Sequence, residues 1–200
     1  MSWTLHIDHI LSRLSCVLAV LYKLKRSNVP LNVLLTVYKG LFLPYIDYSN
    51  LVWGPMIGIS LIRKLQVMQN KACRLIFSLP SRYSDILSVL HGTNLLSISE
   101  RIYFNISLFA FNLVYGYRDN FLGINFVSTS DTHNYHTRSA ANSNLFIQRT
   151  RTLYARNFIS NKLILTWNSI PSNIREQRSF PHFKKLLSQY LISSGTQHLS

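Results

Sequence analysis

Acidic side chains are scarce in this chain: seven Asp and Glu stand against 21 Lys and Arg in 200 residues. They are scattered as Asp8, Asp47, Asp85, Glu100, Asp119, Asp131 and Glu176. No two are spaced as the paired carboxylates of a two-metal centre or of a general acid–base couple. Cysteine is nearly absent. Cys16 and Cys73 are too few and too far apart for a disulfide framework, and both fall in apolar helical patterns, which predicts reduced core residues. The seven glycines form no phosphate-cradling loop, and no Gly-x-Ser-x-Gly elbow or Cys–His pairing is present. His133 and His136 stand three apart without neighbouring cysteines, so packed or surface histidines are expected rather than metal ligands. The expectation is a chain that binds rather than catalyses, with no metal and no cofactor.

Targeting signals and long hydrophobic runs are missing too. The opening MSWTLHIDHI has neither the basic start nor the apolar run of a signal peptide. Residues 14–22 (LSCVLAVLY) and 31–38 (LNVLLTVY) are uncharged and mostly apolar, but far shorter than the roughly 20 residues a spanning helix needs. Lys23, Lys25 and Arg26 end the first. Both tracts read as buried core helices, with no transmembrane segment and an intracellular location, cytoplasmic or nuclear, as the expectation.

What is present is apolar periodicity and positive charge. Hydrophobic residues make up 48% of the chain and low complexity is absent, which excludes a disordered protein and leaves one domain or two small ones. The pattern is almost entirely helical. Helices are expected over 4–26, from Pro30 to about 42 where Pro44 interrupts, over 60–79, 84–91, 98–115, 152–168 and 180–192. Residues 43–55 read as a packed turn followed by a short helical or extended piece. Ser60 and Ser179 are the expected caps of their helices, and Ser97-Ile-Ser-Glu100 has the spacing of a capping box. The predicted fold is mainly α: an irregular multi-helix bundle, then a smaller C-terminal helical segment. In domains, 1–116 reads as the helical region, 117–148 as a polar, basic linker and 149–195 as the C-terminal segment.

A formal net charge of +14 points to polyanions, whether nucleic acid or an acidic membrane surface. The helix at 60–79 gathers Leu61, Leu65, Met68, Ala72, Leu75 and Ile76 on one face. Arg63, Lys64, Lys71 and Arg74 fall within an arc of roughly 100° beside it, with no acidic residue among them. A second basic group surrounds Arg138, Arg149, Arg151 and Arg156, and a third holds Arg175, Arg178, Lys184 and Lys185. Such cations give sequence-independent affinity for phosphates, and the interleaved aromatics are read first as core.

The order of motifs resembles a known family. The pieces are W-T-L-H-I (3–7), V-Y-K-G-L-F-L-P-Y-I-D-Y-S-N-L-V-W-G (37–54) and L-Q-V-M-Q-N-K-A-C-R-L-I (65–76). Then come Y-H-T-R-S-A (135–140), W-N-S-I-P-S-N-I-R (167–175) and S-F-P-H-F-K-K-L-L (179–187). Together, from residue 3 to about 192, they resemble the segment after the polymerase palm in LINE-type (non-LTR) retrotransposon reverse transcriptases, particularly the Jockey-like group. The resemblance implies a thumb that grips a primer–template duplex, followed by a C-terminal helical segment. It carries Arg63, Lys64, Lys71 and Arg74 over as backbone contacts and places Arg138 in the Thr-Arg-Ser pattern. Tyr45-Ile46-Asp47-Tyr48 lacks the second carboxylate of the catalytic Tyr-x-Asp-Asp turn, so Asp47 matches a thumb-region position instead.

The palm, with its metal-binding aspartates, is expected upstream of Met1. The chain is therefore expected to be a truncated or decayed piece of an RNA-directed DNA polymerase, not a working enzyme. Its expected partners are RNA, DNA or an RNA/DNA hybrid, and an intact palm domain acting in trans. Two alternatives stay open: a basic amphipathic protein of anionic membrane surfaces, and a reading frame with no selected function.

Overall fold

The computed structural model describes residues 3–80, 82, 85–117, 119–120, 123–124, 126–129, 144–152, 155 and 157–194. It is mainly helical, 73% of it helix, and among the described residues there is no strand. The expected architecture, a multi-helix bundle with a smaller C-terminal helical segment, is the one observed. Two compact units divide the chain, Met1–Arg101 and Ile102–Ser200.

In the first unit, α1 (Thr4–Arg26) buries Ile7, Ile10, Leu14, Val17 and Leu21, a 3-4-3-4 stripe that packs on α5 (Ile59–Phe77). Lys25 Nζ donates to the Ile76 carbonyl at 3.2 Å, placing a cation on the C-terminal end of α5, where the helix dipole favours one. Residues 14–22 are thus one-faced rather than buried all round. Cys16 lies about 200° from Leu14 and is exposed, contrary to the core position expected of it, whereas Cys73 is buried as expected. At 23 residues, α1 as a whole is long and apolar enough to cross a membrane by length and composition, with 28% of its most apolar window buried within the fold.

α2 (Leu31–Val37) starts directly after Pro30, whose fixed φ suits that place. The expected stop before Pro44 does not occur. The helix widens into a π turn, Tyr38–Phe42, and a new one, α3 (Leu43–Asp47), begins with Pro44 in its first turn. A first-turn position has no intrahelical acceptor for its N–H, so a residue without one is tolerated there. Ser49, at φ 52°, then breaks the run before α4 (Asn50–Trp53) and a 3-10 turn, Gly54–Met56. The fully buried Trp53 indole donates to the Tyr48 carbonyl at 2.8 Å and pins this bend.

α5 starts from Gly58 without a side-chain cap, so the expected cap Ser60 lies inside the helix. It ends at Ser78, in a left-handed conformation, with Leu79 N–H donating back to Arg74 O at 2.9 Å. Leu65, Met68, Ala72 and Ile76 are buried as expected, and so is Gln69. Its amide donates to Tyr38 Oη and to the Leu96 carbonyl, each at 2.9 Å, which satisfies both of its N–H bonds. Burial raises the Tyr38 phenol above its ordinary range, so it stays protonated and available to this network.

α6 (Ile86–Gly92) is capped by Asp85, which accepts from Ser88 N–H at 3.2 Å; hydrogen bonds from Ser88 hold that carboxyl below its usual range. The capping box forms as expected at the start of α7 (Ile98–Val114): Ser97 N–H donates to Glu100 Oε2 at 2.8 Å and Glu100 N–H to Ser97 Oγ at 3.4 Å. Glu100 is wholly buried, and His91 Nε2 stands 3.1 Å from both its oxygens.

The second unit is built on aromatic packing. Phe111 on α7 is fully buried, stacked on Phe183 at 4.3 Å between ring centroids and in contact with Tyr115, Trp167 and Phe180. Phe183 belongs to α10 (Phe180–Ser194) and Trp167 to α8 (Ile159–Ser169); between them Pro171 leads into a short α9 (Ser172–Arg175). The tract from Trp167 to Leu187 is therefore a helix end, a turn and a helix start. α8 begins at Ile159, but Ala155 and Asn157 ahead of it are helical too, and Thr152 Oγ1 accepts from Ala155 N–H at 3.1 Å in the manner of a helix cap. The expected helix over 152–168 is interrupted at Phe158, whose backbone is extended, while Asn161 donates to Ala155 O at 2.7 Å across the break. Asn168 pairs with both backbone groups of Leu145 at 2.8 Å.

Tyr103 on α7 shares a 2.9 Å hydroxyl bond with Ser169, and burial raises its pKa. Tyr103→Phe is expected to lower the stability of this unit by about 1 kcal/mol, the net worth of such a bond. Urea unfolding followed by Trp167 fluorescence, in a Trp3→Phe/Trp53→Phe background, measures it.

Candidate nucleic-acid interface

Periodicity decides which side of α5 faces water. Taking 100° per residue, the buried Leu65, Met68, Ala72 and Ile76 centre on one direction, and Arg63, Lys64, Lys71 and Arg74 occupy an arc about 85–175° round from it on one side. Arg63, Lys64 and Lys71 are exposed; Arg74 is half-buried. Val67, 50% exposed, sits in the middle of the four. From Arg63 to Arg74 the helix rises about 16 Å. A rigid scaffold therefore presents a basic strip with no carboxylate along its length.

The surroundings keep that strip positive. The first unit has eleven Lys and Arg against four Asp and Glu, a formal charge of +7. Three of its four carboxylates are already engaged, Asp85 as the cap of α6. Glu100 is buried in the capping box, and Asp47 is gripped by Arg101, whose Nε donates to Oδ1 at 2.7 Å and whose Nη2 donates to Oδ2. This fork-on-fork pair is the strong geometry for Arg and carboxylate. It gives Asp47 a structural part in joining α3 to the start of α7.

In the second unit, Arg149 and Arg151 are exposed in the segment ahead of α8, and Lys184 and Lys185 are exposed on α10. Arg138 lies outside the described residues, as do Arg156, His133 and His136. The candidate cations of the first unit thus share one strip on α5, and the described ones of the second unit lie on the segment ahead of α8 and on α10. Arg175 is different: it is buried, donates to Asn144 Oδ1 at 3.0 Å, and desolvation lowers its pKa. It lines a cleft of about 230 Å³ with Val114, Tyr115, Leu145, Trp167, Ser172 and Glu176.

Reading the aromatics as core missed part of the surface. Tyr38, Phe42, Trp53, Phe111 and Phe183 are core, but Tyr45 is 38% and Tyr48 72% exposed. Their i, i+3 spacing before the break at Ser49 was the available signal. Cys73 is inert chemistry: burial pushes its thiol up to about 12. Among the described residues, no group of three His, Cys, Asp or Glu is placed to hold a metal ion.

No family model, curated protein or solved structure matches the chain.

Proposed function

We propose that the chain is a nucleic-acid-binding helical module of the reverse-transcriptase thumb type, which holds the phosphate backbone of RNA, DNA or an RNA/DNA hybrid along α5. The observation that carries this reading is the strip of Arg63, Lys64, Lys71 and Arg74, set beside the buried stripe and free of carboxylates. The motif order from residue 3 to about 192, with its resemblance to LINE-type reverse transcriptases, supports the same class of ligand. The role is binding without polymerase chemistry; RNA-directed DNA synthesis belongs to the family the chain resembles, and an intact palm domain is a natural partner in trans. Phosphate contacts of this kind fix position and carry no sequence preference.

A second reading rests on α1, whose length and apolarity are those of a membrane-crossing helix. It places the basic residues against anionic lipid instead.

One salt titration separates the two. The full chain is titrated with an RNA/DNA primer–template, with single-stranded RNA and with anionic liposomes. With three phosphates neutralised, log K is expected to fall against log salt with a slope of about −3, roughly a fifty-fold loss between 50 and 200 mM. A salt-insensitive affinity for the primer–template, or binding to liposomes that nucleic acid does not compete away, would sink the nucleic-acid reading.

A further inference from the structure

The bend after α3 has chemistry that the α5 strip does not use. Tyr45 lies in α3 and Tyr48 directly follows its last residue, three positions on; Tyr45 is 38% and Tyr48 72% exposed. Among the described residues neither hydroxyl has a hydrogen-bond partner. A large ring so exposed is not explained by the core, and it is not on a loose segment. Tyr48 N–H donates to Pro44 O at 2.9 Å, its carbonyl accepts from the buried Trp53 indole, and Ser49 fixes the turn that follows.

Three more features mark what could lie on these rings. The exposed Lys39 on the preceding π turn provides a cation. Gly40 beside it has no positive φ, and a Cβ built there would meet nothing within 4 Å, so the approach is open. Asp47, the one carboxylate between the tyrosines, is neutralised by Arg101 and does not repel phosphate. Exposed aromatic faces, with a lysine earlier in the same helical run and the intervening carboxylate paired, are the recognition chemistry of unpaired bases on a charged backbone.

We propose that Tyr45 and Tyr48 form a stacking platform for unpaired bases of a single-stranded nucleic acid, with Lys39 contacting its phosphates. This rests on the nucleic-acid reading above and adds to it a second contact that depends on bases rather than charge. Its signature is affinity that survives salt, because stacking releases no counterions.

The test uses the full chain, a labelled twelve-nucleotide oligouridylate, an abasic sugar–phosphate oligomer of equal length and anionic phospholipid vesicles, at about 300 mM salt, where charge alone holds little. Tyr45→Ala/Tyr48→Ala is expected to weaken oligouridylate binding about tenfold or more and to leave abasic binding unchanged, while Tyr45→Phe/Tyr48→Phe, which keeps both rings, retains the wild-type affinity. In a Cys16→Ser background, protection of Cys73 from thiol reagents reports whether each variant is folded. Wild-type affinity of the double alanine variant for oligouridylate would overturn the platform alone, as would equal losses on both oligomers. A loss confined to anionic vesicles would assign the rings to lipid and overturn it too. If the wild type binds neither oligomer even at 50 mM salt, the nucleic-acid reading itself falls, and the platform with it.

Discussion

Glu100→Ala is expected to lower the stability of the first unit by about 3 kcal/mol, more than any exposed substitution in it. The carboxylate is wholly buried and accepts the Ser97 N–H at 2.8 Å while both its oxygens stand 3.1 Å from His91 Nε2. Removing it strands two donors at once. An unpaired buried donor costs about 1–3 kcal/mol, and loss of a helix cap about 1 kcal/mol. Glu100→Gln keeps an acceptor for Ser97 and is expected to cost about half as much. The damage is local to the start of α7, where Ile98 N–H also donates to Gln66 Oε1 of α5 at 3.0 Å. Cys73, buried on α5, reports it: in a Cys16→Ser background its modification by a thiol reagent should be slow in the parent chain and faster in Glu100→Ala. If urea unfolding places Glu100→Ala within about 1 kcal/mol of the parent, the buried box is not what holds α7 to α5.

Much of this arrangement was legible beforehand, and the parts that were not share a cause. α5, the capping box at Ser97–Glu100 and the turn at Trp167 are written in local spacing, which sequence displays directly. The π turn is not local in that sense. It depends on Tyr38 reaching Gln69, 31 residues away, and on Pro44 needing a first-turn position. Gln69 itself interrupts an apolar pattern and becomes acceptable only once Tyr38 and Leu96 are in place to accept from it. The Asp47–Arg101 pair spans 54 residues and has no periodic trace at all. Cys16 and Tyr48 failed for other reasons. Cys is a residue type that is usually buried, and only the direction of its face on α1 put Cys16 in solvent; Tyr48 is exposed because it stands just past the end of α3, where the chain bends at Ser49. The α5 strip escaped both difficulties because Arg63, Lys64, Lys71 and Arg74 declare their side by helical spacing alone, whereas grouping Arg149 or Lys184 with anything requires the fold.

Reversing the three exposed charges of that strip is the decisive functional substitution. Arg63→Glu/Lys64→Glu/Lys71→Glu should weaken binding to an RNA/DNA primer–template by about a hundredfold at 50 mM salt, near 2.7 kcal/mol, and flatten the salt slope by about 2–3. All three side chains are exposed, so folding should survive. The same loss is expected for any sequence, because phosphate contacts carry no base information. Net charge alone cannot account for the result if a matched control is run. Arg13, Arg26 and Arg82 are also exposed in the first unit, and reversing them takes its formal charge through the same change, from +7 to +1. A backbone seated on α5 loses its contacts only in the first variant and feels the control as weaker long-range attraction, screened within about 10 Å at 0.1 M salt. At 100 mM salt and above, the two variants should therefore separate by at least about tenfold. Equal losses would mean that the unit attracts polyanions through its total charge and that the helix face holds none of them.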